Sequence, residues 1–279
     1  MTDMSIAHFG TTLAETPPAE DEDQNATSMS GDLKRTDEFL KILGAEVYIT
    51  NLYPFGRQFI YKRGKPTDPD YFEKDTFTSY TAAPMPKTKT PRIGETIFRL
   101  PHRNAPKVAA LLNDKGLIEP LSDYNAFINE VSHTLFFIGP DKQRYELTQS
   151  SDAQHINHRV YVWTDESDLD DHKDGYAESF DLQFQGTEDF YNFGTAHLLV
   201  RQNPGVTIAL LTTKNGTLSP KNSFDIFGDA GYSHFRLSAP NKSRALNNSV
   251  EAFPDGGGPV AYVHFQNSYL ELVQFGSEL

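Results

Sequence analysis

The chain has 279 residues, with 25 Lys+Arg against 38 Asp+Glu for a formal charge of −13, which gives a nucleic-acid or anionic-membrane partner no electrostatic footing. Its lack of cysteine excludes disulfides, thiolate metal sites, iron–sulfur clusters and thiol nucleophiles. No apolar run approaches the ~18 residues of a membrane span, and the first ten residues lack the charged start and apolar core of a secretory leader, so a cytoplasmic protein is expected.

The first predicted element is a short strand around Ile6, His8, Phe9 and Leu13, where apolar and small residues alternate. Residues 16–31 (TPPAEDEDQNATSMSG) follow, acidic and polar with almost nothing to bury, and read as a disordered loop. Residues 33–43 carry Phe39, Leu40, Ile42 and Leu43 and stop at Gly44, the pattern of a short helix with a glycine exit. Two β-branched and aromatic runs, 47–52 and 58–62, read as strands, and the proline-rich stretch 83–92 separates this unit from the next.

The second unit opens with a strand over 95–100. A helix over 104–115 places Val108, Leu111 and Leu112 on one face, and Gly116 ends it. The runs 134–138 and 144–148, joined by Gly139-Pro140-Asp141-Lys142, predict a hairpin. Residues 164–175 (TDESDLDDHKDG) are acidic enough to predict a solvated loop.

The pattern then returns. TDEFLKILG (36–44) is echoed by TEDFYNFG (187–194), IFRLP (97–101) by HFRLS (234–238), and YELTQ (145–149) by LELVQ (270–274), in the same order and at shrinking offsets. Ordered echoes point to duplication, with each half splitting into two strand–helix–strand–strand–strand pieces. The expected organisation is a first unit over 1–150, an acidic linker over 151–177 and a second unit over 178–279.

At FLKILGAEV (39–47), GPDKQRYELTQ (139–149) and GYSHFRL (231–237) the sequence resembles the vicinal oxygen chelate superfamily, which includes glyoxalases, extradiol dioxygenases and bleomycin-resistance proteins. The resemblance implies an α+β fold of four tandem βαβββ modules forming cupped mixed β-sheets. It also implies metal ligands on the first and last strands of the modules. The first-strand positions read His8, Ile97, Ser179 and His234, and the last-strand positions that can be placed read Glu146 and Glu271. Isoleucine and serine cannot replace an imidazole, so two sites of equal quality are excluded.

Two pairings remain open. If the first module meets the fourth, His8, His234 and Glu271 converge and would hold a divalent metal (Fe, Mn, Ni or Zn), leaving Glu146 opposite Ser179 in a second, metal-free site. If adjacent modules pair, each site is too poor in ligands to hold an ion well. The aromatic residues Tyr48, Phe59, Tyr61 and Tyr191 are the expected lining of a ligand cavity. His155 and His158, near Asp168, Asp170, Asp171 and His172, lack a shared strand face and make a poor metal set. No phosphate-cradling glycine loop occurs, so no nucleotide cofactor is expected.

Three function classes fit. One is a metal-dependent lyase, isomerase or dioxygenase acting on a small molecule with adjacent oxygens. Another is a metal-free module that binds a small hydrophobic ligand. The last is a non-catalytic regulatory or adaptor subunit with a protein partner or a second copy of itself.

Overall fold

Strand alternation divides the molecule into a buried interior and two concave outer faces. The computed structural model describes residues 8–15, 29, 31–65, 68, 70–82, 90–149, 159–202, 205–214, 218–219, 233–247, 249, 251–254, 260–266 and 268–274. Most of the acidic stretch 16–31, most of the proline-rich stretch 83–92, and His155 and His158 lie outside the described residues.

Four pieces succeed one another. The first contains β1 (His8–Ala14), α1 (Gly31–Ile42), β2 (Glu46–Tyr53), β3 (Gly56–Arg63) and β4 (Phe72–Ser79). The second contains β5 (Thr96–His102), α2 (Ala105–Asp114), the two-residue β6 (Glu119–Pro120), α3 (Tyr124–Ile128), β7 (Thr134–Ile138) and β8 (Arg144–Gln149). The third contains β9 (Arg159–Trp163), α4 (Leu169–Phe180), β10 (Gln183–Phe190), β11 (Gly194–Gln202) and β12 (Gly205–Thr213). The fourth contains β13 (Ser233–Ala239), α5 (Lys242–Asn247), β14 (Glu251–Pro254), β15 (Val260–Phe265) and β16 (Ser268–Gln274).

The pieces do not pair in sequence order. One eight-stranded sheet runs β14-β15-β16-β13-β1-β4-β3-β2 and joins the fourth piece to the first. The other runs β10-β11-β12-β9-β5-β8-β7-β6 and joins the third to the second. Each is mixed, and each is centred on an antiparallel pair of first strands, β1 with β13 and β5 with β9. The expected α+β fold of cupped mixed sheets is therefore present, with the first module meeting the fourth. Sheets do not coincide with the expected units 1–150 and 178–279.

Helices form where apolar residues recur at helical spacing. In α1, Leu33, Thr36, Phe39 and Leu40 are buried, and the chain leaves through Gly44 at φ +84°, a left-handed exit that suits glycine. The acidic run 164–175 corrects the sequence expectation: it is a 3-10 turn over Glu166–Asp168 leading into α4. Its charges mask an apolar face of Leu169, His172, Tyr176 and Phe180, while Asp165 caps the turn through the Ser167 N–H. Ser179 therefore sits on a helix and holds no first-strand position. That position belongs to β9, within the stretch expected as linker. The first echo fails for the same kind of reason, since residues 36–42 are helical while 187–190 belong to β10.

The inner faces of the sheets share one core. Phe9 of β1 stacks on Phe98 of β5 with ring centroids 4.3 Å apart, and Tyr145 and Phe39 complete the cluster. One ion pair is sealed in this interface: Lys74 Nζ lies 2.9 Å from Asp141 and donates to Thr11 Oγ1 at 2.7 Å, while the Tyr145 hydroxyl donates to Asp141. Two arginines also bridge the sheets through main-chain oxygens, Arg63 to Pro101 and Arg201 to Ser238. Among the described residues no helix is long and apolar enough to cross a membrane.

Candidate metal centre

Period-two alternation along β1 sends Phe9, Thr11 and Leu13 inward and puts His8, Gly10 and Thr12 on the outer, concave face. Register does the rest. Gly10 lies opposite Asp75 on β4 and opposite His234 on β13, His8 lies opposite Glu73, and Arg236 of β13 lies opposite Glu271 of β16. Four strands from the two ends of the chain thus deliver His8, Asp75, His234 and Glu271 to one buried place. One ligand atom from each lies within 4.8 Å of the others.

His8 Nε2 is 3.0 Å from Glu271 Oε2 and 3.4 Å from Asp75 Oδ2, and His234 Nε2 is 3.9 Å from Glu271 Oε2. His8 Nδ1 donates to Glu73 Oε2 at 3.1 Å. The Arg236 guanidinium donates to Glu271 Oε1 at 2.8 Å, and the Gln58 amide donates to Asp75 Oδ2 at 3.0 Å. His8 Nε2, Asp75 Oδ1 and Glu271 Oε2 are buried without a hydrogen bond. Buried polar atoms are normally satisfied, so unsatisfied atoms on three residues whose ligand atoms converge within 4.8 Å fit a bound cation. Their span is close to that of one coordination shell, about twice a ~2.2 Å bond.

The charges agree with that reading. Burial pushes His8 down, but the Glu271 and Asp75 carboxylates outweigh it and hold the imidazole well above its ordinary value. Burial raises Glu271, yet His8 and Arg236 keep it far below the carboxylate range. His234, fully enclosed, is pushed down by burial to about 4 and stays a neutral imidazole. Without an ion, a proton on His8 supplies the positive charge the carboxylates demand. Because the folded value exceeds the unfolded ~6.5, this stability is complete below pH ~6.5 and is lost as pH rises through the raised value. Metal-free protein should therefore show a lower urea midpoint at pH 9 than at pH 6, and His8→Gln should flatten that slope.

The other sheet shows what the same scaffold looks like without the donors. At matching register, Ile97 stands where His234 does, Arg159 where His8 does, Ala209 where Asp75 does and Tyr161 where Gly10 does. Glu146 matches Glu271 and keeps its arginine: Arg99 donates to both carboxylate oxygens, at 2.7 and 2.9 Å, and to the Tyr161 hydroxyl at 2.9 Å. Phe136, Phe190 and Trp163 fill this face. Glu146, the second candidate from sequence, is thus a structural ion-pair partner. Glu146→Ala strands a largely buried guanidinium and should cost about 3 kcal/mol in urea unfolding, with metal content unchanged.

The aromatic cavity expectation is corrected. Phe59 and Tyr61 face the inner core, opposite Thr76 and Lys74 on β4, and the Tyr61 hydroxyl donates to Asp37 of α1. Tyr191 is half-exposed against Phe136 of the other sheet. Only Tyr48 borders the donor cluster, with Lys62 Nζ 5.3 Å from its ring and 3.4 Å from Glu73. Asp75 and Glu73 were missed because DPDYFEKD is dominated by charge and lacks the apolar signature by which strands are recognised. The available signal was the alternation of Glu73, Asp75 and Phe77 just before the proline-rich break.

Two cupped mixed sheets, each built from two modules around paired first strands, define the vicinal oxygen chelate fold that the short motifs resembled. Glyoxalase I from Zea mays is similar over nearly the whole length, with a TM-score of 0.60 and 15% identity, covering 96% of this chain and 92% of that one. A point variant of the same maize protein gives 0.60 and 14%, covering 96% and 93%. No family model matches the sequence, and no curated protein matches it. The likeness is one of fold.

Proposed function

We propose that the protein is a divalent-metal-dependent enzyme of the glyoxalase or dioxygenase type, a lyase, isomerase or dioxygenase acting on a small molecule with adjacent oxygens. The observation that carries this reading is the convergence of four buried donor atoms within 4.8 Å. Two imidazoles and two carboxylates without thiolate suit Fe, Mn, Ni or Zn. His8 Nε2, His234, Asp75 and Glu271 Oε2 would hold the ion, whose contribution when bound is to polarise a carbonyl or a pair of vicinal oxygens.

The chain's own groups do the remaining work. Arg236 occupies Glu271 Oε1 and so commits Oε2 to the cluster. Burial of His8, Asp75, His234 and Glu271 keeps bulk water off the reacting atoms. A metal-free binder of hydrophobic ligands is disfavoured, because this face presents His8, Glu73, Asp75, Arg236 and Glu271 rather than an apolar lining.

The test is to screen metal-reconstituted protein against 1,2-dicarbonyl and catechol compounds. Turnover that requires the ion and disappears in Asp75→Asn supports the proposal. Metal loading with no turnover of either class would overturn the enzymatic reading.

A further inference from the structure

We propose that Glu73 is a positioning residue that holds the His8 ring with Nε2 turned toward the other three donors, a role that rests on the metal reading above. Glu73 precedes Asp75 by two residues on β4, so both project from the same face, and it lies directly opposite His8. The His8 ring spends its two nitrogens on two tasks. Nδ1 donates to Glu73 Oε2 at 3.1 Å, which leaves Nε2 beside Glu271 Oε2 at 3.0 Å and Asp75 Oδ2 at 3.4 Å. An acceptor on the second nitrogen of a ligating imidazole fixes its tautomer and ring plane and strengthens it as a donor.

Glu73 is itself held in place. Lys62 Nζ lies 3.4 Å from Oε1 and Arg236 Nη1 lies 3.8 Å from Oε2. Glu73 Oε2 meets the ring on the side away from Nε2, so it supports the cluster without joining it.

The second sheet acts as an internal control. The arginine–glutamate pair at Arg236 and Glu271 recurs there as Arg99 and Glu146, so that pair belongs to the scaffold. The His8–Glu73 pair does not recur: Arg159 stands opposite Thr207. The carboxylate is absent where the imidazole is absent, which separates Glu73 from the scaffold and places it with the donor set.

The experiment uses the full-length protein and two readouts. Zn²⁺ affinity is measured by competition with a chromophoric chelator for wild type, Glu73→Ala and Glu73→Gln, with far-UV circular dichroism as the fold control. The ring N–H protons are followed by NMR on ¹⁵N-histidine-labelled protein, with His8→Gln assigning the His8 signal. Glu73→Ala should weaken Zn²⁺ roughly 10–100-fold and abolish the slowly exchanging His8 Nδ1–H resonance. Glu73→Gln still offers a carbonyl oxygen and should restore the resonance and most of the affinity. Wild-type behaviour in Glu73→Ala, or equal loss in both variants, would overturn the positioning role. A wild type that binds no Zn²⁺ would overturn the metal reading instead. The resonance alone would then decide whether Glu73 holds the ring.

Discussion

Gly10→Ala is expected to empty the metal centre while leaving both sheets folded. Gly10 sits opposite His234 across the β1–β13 pair, and the imidazole lies directly over its Cα. A Cβ built there overlaps the Cε1 edge of the ring and lies 2.7 Å from Nε2 and 2.8 Å from Nδ1. Two rings flank it, His8 at 6.1 Å and Phe77 at 6.0 Å between centroids. One methyl group therefore displaces one donor and crowds another. Overpacking of this kind costs about 1–3 kcal/mol, which a chain of this size tolerates. Metal affinity should fall by more than about 100-fold, beyond the loss seen when only a supporting group is removed. Equilibrium dialysis against Zn²⁺ checks this beside a urea unfolding curve. A Gly10→Ala protein that keeps wild-type affinity would mean that His234 does not belong to the site.

Removing a donor directly should have an equal or larger effect, and the informative choice is Asp75. Asp75→Ala deletes one of four ligand atoms and leaves the Gln58 amide without its acceptor. Loss of metal by more than about 100-fold is expected, matching His8→Ala and His234→Ala. If Asp75→Ala binds metal as tightly as wild type while both histidine variants lose it, the centre is a three-residue set, and solvent supplies any further contact.

The histidines were legible in the sequence because they stand on short alternating strands, HFGTTL and SHFRLS, that a period-two reading recognises. Glu271 was legible through the likeness of LELVQ to YELTQ, two strands that occupy matching last-strand positions beside β13 and β5. Asp75 was not, since β4 carries charged residues on its concave face and lacks the apolar signature by which strands are found. The acidic α4 was hidden in the same way: its solvent face outnumbers its buried one. Gly10 gave no signal at all, because its requirement is steric and comes from a residue 224 positions away that only strand pairing brings near. Which modules pair was equally beyond the sequence. Either arrangement buries the same apolar faces, and only the β1–β13 register unites the two chain ends.

On the proposed reading each chain holds one centre, formed by the first and fourth modules, with no second donor cluster among the described residues. Metal content of the purified, reconstituted protein, measured by inductively coupled plasma mass spectrometry, tests that most directly. One equivalent of divalent ion is predicted, lost in His8→Ala and in His234→Ala and retained in Glu146→Ala. No bound ion after reconstitution, or two equivalents with one surviving both histidine substitutions, would contradict it.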